Sequence, residues 1–96
     1  RTDALNEMRT LGQEISLLLT ELGRMPTKDQ ILAAVKMDKK LLTALNDGSF
    51  ILTGTTDAGG LWAYEVDADV RPGFALIGGT AAKSTPEELA RYFPKK

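Results

Sequence analysis

The chain has 96 residues, of which 43% are hydrophobic and 26% charged, and its net charge is −1. That is enough for one domain with a modest core, burying somewhat over ~60% of the surface an unfolded chain exposes. The near-neutral balance supplies no field for phosphate backbones or anionic membranes. The absence of cysteine and histidine removes disulfides, thiolate zinc sites and the commonest general base.

The first element is a helix over about 3–22. Leu5, Met8, Leu11, Ile15, Leu18, Leu19 and Leu22 recur at spacings of three and four, which places them on one stripe. Thr2 is placed as its N-cap, and Asp3 suits the positive end of the helix dipole. Gly23 stands where a left-handed terminating residue belongs. Such a helix is long for a chain of this size, so its stripe is expected to cover whatever follows.

Pro26 disfavours helix at Met25 and forces an extended step. Thr27 and Gln30 have the spacing of a capping box, so a second helix is predicted over about 28–36, carrying Ile31, Leu32, Ala34 and Val35. A third, over about 39–46 with Asp38 as cap, carries Leu41, Leu42 and Leu45. The run "NDGS" at 46–49 then signals a turn.

After Gly48 the period changes to that of strands. Three are predicted, over about 49–55, 61–67 and 74–79, joined by short connections that favour an antiparallel meander. In the second, Trp62, Tyr64 and Val66 are expected on one face and Leu61, Ala63 and Glu65 on the other. Gly78 and Gly79 are taken to weaken the end of the third. Thr85, Pro86 and Glu88 make a strong helix start, and a short terminal helix is predicted over about 86–92. The fold class is therefore α+β, a single domain over 1–96, with the long helix packed on a three-stranded antiparallel sheet. Two short helices connect them and a third ends the chain.

Candidate sites are few. Glu65, Asp67 and Asp69 could offer oxygens to calcium, which needs six to eight of them. The EF-hand pattern is absent and turn acids are usually solvated, so no metal or other cofactor is assigned and these three stand as the candidates. "GTTDAGG" lacks the Gly-Lys-Ser/Thr of a phosphate loop. Trp62 and Tyr64 are more readily packing residues than a ligand site. Lys36, Lys39 and Lys40 form a small basic patch of the kind that usually marks a solvated helix face. Glu87 and Glu88 are explained by the helix start they occupy. No catalytic constellation emerges, and the chain is not expected to be an enzyme.

The stretch "LLLTELGRMPTKDQILAAV" resembles the helix end of type IV pilins and type II secretion pseudopilins, where the helix runs into a Gly-Arg-aromatic-Pro-Thr step. Gly23, Arg24, Pro26 and Thr27 match that step, while Met25 replaces the usual tyrosine. The run "GSFILTGTTDAGGLWAYEVDADVRPGFALIGG" is similar to the sheet of pilin heads. The family's hydrophobic half-helix, with its glycine cleavage site and early glutamate, is not in this chain. The resemblance implies that a membrane segment of about 20 residues stands upstream of Arg1. It also implies a non-catalytic filament subunit whose partners are other pilin or pseudopilin subunits and their assembly machinery. Its expected place is the bacterial periplasm, anchored in the inner membrane, or an extracellular filament. The resemblance also makes the Leu5–Leu22 stripe core and inter-subunit surface together, and some pseudopilins hold calcium in a head loop.

Two other classes have the same order of elements. A winged-helix DNA-binding domain would use the helices at 28–36 and 39–46 and a hairpin wing. Its recognition helix, "KKLLTALND", carries three leucines and no arginine, asparagine or glutamine at its beginning to read base edges, so no nucleic-acid partner is expected. An unrelated sensor or adaptor ectodomain would share the helix-plus-sheet layout.

Overall fold

Four helices and one four-stranded antiparallel sheet make up the computed structural model, which describes residues 2–92, with side chains from residue 4 onward. The cap assigned to Thr2 and the dipole role assigned to Asp3 therefore lie outside the described side chains.

Helix α1 spans Thr2–Leu22 and ends at Gly23, whose φ of +70° lets its N–H bond to the Leu19 carbonyl at 2.9 Å. Met25 and Pro26 are both buried and carry the chain back along the body. Helix α2 runs over Lys28–Ala34, entered through the Thr27/Gln30 capping box with both of its hydrogen bonds formed. It stops two residues short of the predicted 36, because Val35 to Met37 form a turn that sets up Asp38 as the cap of α3, Lys39–Asn46.

The sheet is a meander in the order β1-β2-β3-β4: β1 is Phe50–Leu52, β2 Leu61–Glu65, β3 Gly73–Ile77 and β4 Thr80–Ser84. It has four strands where three were predicted. Gly78 and Gly79 do not weaken a strand end. With φ of +57° and +90° they are the two central residues of a tight hairpin that pairs Ile77 with Thr80, the backbone that glycine pairs adopt most cheaply.

The other strands are shorter than predicted, each for a local reason. The Thr53 hydroxyl bonds to the carbonyls of Leu61 and Trp62, and Gly54 turns away at φ +71°, closing β1. At the end of β2, Asp67 sits at φ +74°, outside the extended region. The expected alternation along β2 is also corrected. Leu61 pairs with Ile77 but Ala63 pairs with Leu76, so Trp62 is the extra residue of a β-bulge. Trp62 and Ala63 both join the core under the helices, while Leu61 and Tyr64 join the opposite face. Trp62 and Tyr64 are thus on different faces.

The sheet consequently has two cores. On one face Met8, Leu11 and Ile15 of α1 meet Leu41 of α3 and Phe50, Leu52, Trp62 and Leu76 of the sheet. On the other, Leu61, Ala68 and Ala75 are sealed by Leu89, the last residue of α4, Pro86–Leu89. Residues 90–92 leave the helix as a turn, so α4 is shorter than the 86–92 predicted. Its only fully buried side chain, Leu89, sits at the end of its single turn.

Candidate functional site

Helix α1 is the element on which the stripe residues meet. Met8, Leu11 and Ile15 are completely buried. Leu18 and Leu19 are half-buried against the same core, Leu5 is half-buried, and Leu22 is 39% exposed. The stripe is therefore core at its centre and surface at its last turn. The helix lies across the β3–β4 hairpin, and the approach is close because of Gly12. A Cβ at that position would stand 2.8 Å from Leu76 Cδ1 and 3.3 Å from the Gly79 carbonyl. Composition alone gives Gly12 no role. Its place between Leu11 and Ile15 on the buried stripe is the signal that it marks a backbone contact.

Leu17 was not part of the stripe. At 100° per residue it falls almost opposite Ile15, and it is 60% exposed on a face shared with the exposed Asn6, Gln13, Thr20 and Glu21 and the half-buried Thr10. An unshielded leucine in a polar face contributes nothing to this fold. It is the most exposed large apolar side chain of α1.

The acidic loop between β2 and β3 does not gather its carboxylates. Glu65 is half-buried, and its Oε1 accepts from the Phe74 N–H at 2.7 Å, which ties the two strand ends together. Asp67 accepts from Arg71 at 2.9 Å in an exposed ion pair, while its backbone carbonyl accepts from the N–H groups of Val70 and Arg71. Asp69 is exposed and acts on Tyr64: burial first, then the Asp69 charge, pushes the Tyr64 phenol above its ordinary pKa of 10.0. Among the described residues no group of three His, Cys, Asp or Glu side chains is placed to hold a metal ion. Glu65 and Asp67 are thus both engaged in bonds that shape the loop. The loop folds back on Ala68, which is 1% exposed, and leaves Val66 and Val70 facing outward.

The remaining polar side chains serve turns. Asp47 accepts from the Ser49 N–H at 2.8 Å, and hydrogen bonding from the Ser49 side chain first, then its backbone, holds the Asp47 carboxyl below the usual carboxylate range. Asp57 accepts from Gly59 N–H at 2.9 Å, closing the β1–β2 connection over which the Trp62 indole donates to the Ala58 carbonyl at 2.9 Å. Lys36, Lys39 and Lys40 are exposed. No helix among the described residues is long and apolar enough to cross a membrane. Compared with protein families, curated proteins and solved structures, the chain matches none.

Proposed function

We propose that this chain is the head of a filament subunit of the type IV pilus or type II secretion pseudopilus kind, and that it acts by assembly, without catalysis. One observation carries the reading, the two-sided use of α1. Its 21 residues span about 31 Å at 1.5 Å per residue, against a longest molecular extent of 32 Å, so the helix runs the length of the body. One side is spent on the sheet. The other carries the exposed Leu17, and the last turn of the buried stripe itself emerges at the part-exposed Leu22; both are apolar positions that a neighbouring subunit would cover. The Gly23–Thr27 step supports the same reading: it ends the helix and returns the chain to build a head on one side of it. Partners are then other subunits and the machinery that assembles them. The link to the membrane is a segment outside this chain, and the head resides in the periplasm or on an extracellular filament.

The test is site-specific photocrosslinking in cells that make the protein from its own gene. A benzophenone side chain at position 17 is expected to give adducts at multiples of the subunit mass, while the same group at the exposed Lys83 on β4 gives few. Monomer alone at position 17, from protein that is stably made, would remove the assembly reading.

A further inference from the structure

The edge of the sheet at β1 has a groove on each side. One, of about 600 Å³, runs along the face away from α1 and is walled by Ile51, Tyr64, Arg91 and Tyr92. The other, of about 270 Å³, runs between the same strand and α2–α3, walled by Lys28, Leu32 and Leu45. Ile51 and Leu52 belong to both.

The backbone between the grooves is a hydrogen-bonding edge. Val66 N–H bonds to the Ser49 carbonyl and Thr53 N–H to the Trp62 carbonyl, with Ile51 opposite Tyr64 between them. Antiparallel ladders alternate, so Ser49, Ile51 and Thr53 face β2, and the N–H and C=O groups of Phe50 and Leu52 face outward. Both side chains are core, at 4% and 8% exposure, which fixes that edge rigidly.

Charge selects the occupant. Lys28 stands in one groove and Arg91 in the other, and neither makes an ion pair among the described residues, where the pair formed is Arg71–Asp67. The one acid lining either groove, Asp57, already accepts from Gly59 N–H.

We propose that β1 is a docking edge for an extended, acidic segment of a partner protein, added as a fifth strand. Main-chain bonds to Phe50 and Leu52 supply affinity, and alternate side chains entering the two grooves supply selectivity. Apolar groups would reach Leu32 and Leu45 on one side and Ile51 on the other, and carboxylates would meet Lys28 and Arg91. This inference stands apart from the filament reading, since it uses neither α1 nor its exposed face.

The test uses the intact chain, isotope-labelled, titrated with a short synthetic peptide in which pairs of valines alternate with pairs of glutamates, so that each face of the added strand carries both. The amide signals of Phe50 and Leu52 are expected to shift and to become protected from exchange. The glutamate peptide should bind about tenfold more tightly than its lysine counterpart, the scale of two exposed ion pairs. The Lys28→Glu, Arg91→Glu double variant, altered only at exposed positions, should reverse that preference. N-methylation of every second peptide nitrogen should abolish binding in one phase and spare it in the other. Equal binding in both phases, equal binding of the two peptides, or shifts centred on β4 would overturn the proposal. Self-association of the chain through β1 would overturn its occupant in favour of a second copy.

Discussion

Gly12 and Tyr64 are single positions whose surroundings reverse the ordinary expectation. Alanine in place of a helical glycine usually stabilises by ~1 kcal/mol. At Gly12 the added methyl meets Leu76 Cδ1 at 2.8 Å and the Gly79 backbone carbonyl at 3.3 Å, and Leu76 is fully buried. Overpacking of this kind costs ~1–3 kcal/mol. Gly12→Ala is therefore expected to lower the urea midpoint, and Gly12→Val to lower it further; a rise for Gly12→Ala would show that helix and hairpin can separate freely. Tyr64 is the corresponding case for pH. Its folded pKa lies above 10.0, so the native state holds the phenolic proton more tightly than the unfolded chain. The stability this contributes is fully present below pH ~10 and is lost as pH rises through the folded value. An alkaline unfolding series should therefore show a loss of stability above pH ~10 that is reduced in Tyr64→Phe.

Helix α1 presents a graded series along one element. Ile15 is completely buried, Leu18 half-buried, and Leu17 60% exposed. Ile15→Ala should cost ~2–5 kcal/mol through lost burial and a cavity, Leu18→Ala less, and Leu17→Ala within ~0.5 kcal/mol, as for a surface site. Equal losses at 15 and 17, measured by chemical denaturation, would mean that the helix does not lie on the sheet as described. Residue spacing made this element legible, because a helix announces its buried face every third or fourth residue. The cap pairs at Thr27/Gln30 and Thr85/Glu88 were legible for a similar reason: each is a local bargain between side chain and backbone, formed in the structure as spaced in the chain. Strand β4 was not legible. Thr80–Ser84 carries two alanines, a lysine and a serine, residues with little strand preference. They form a strand only because the Gly78–Gly79 turn delivers them beside β3. The signal was the glycine pair between Ile77 and Thr80, a hairpin dipeptide. The bulge at Trp62 was hidden more deeply, since it depends on pairing with β3 and leaves no mark in the periodicity of β2. Of the candidate site, the stripe and the outward position of Leu17 were readable from helical spacing, whereas the exposure of Leu22, which lies on the stripe, depends on where the core under the helix ends.

At the scale of the whole molecule, nearly every neighbour in space is a neighbour in sequence. The strands pair in chain order, and α3 rests on β1, which follows it. The largest departure is α1, whose main partners are β3 and β4 at the far end of the chain. That separation acquires meaning during synthesis. Gly12 emerges about 60 residues before Gly73 begins the hairpin it touches, and at roughly 5–20 residues per second the interval is several seconds. Throughout it Met8, Leu11 and Ile15 lack Leu76 and the β3–β4 hairpin, the part of the sheet on which the helix chiefly lies. Nascent chains arrested before residue 73 should expose that stripe and be captured by a hydrophobic-binding chaperone, whereas chains arrested after Ser84 has cleared the exit tunnel should escape. In Ile15→Lys chains capture before residue 73 should fall. If capture did not change with arrest position, the helix would be finding shelter earlier than the finished fold provides. The structure thus gives its first helix a waiting period, in which a surface made for the last hairpin must be kept from other company.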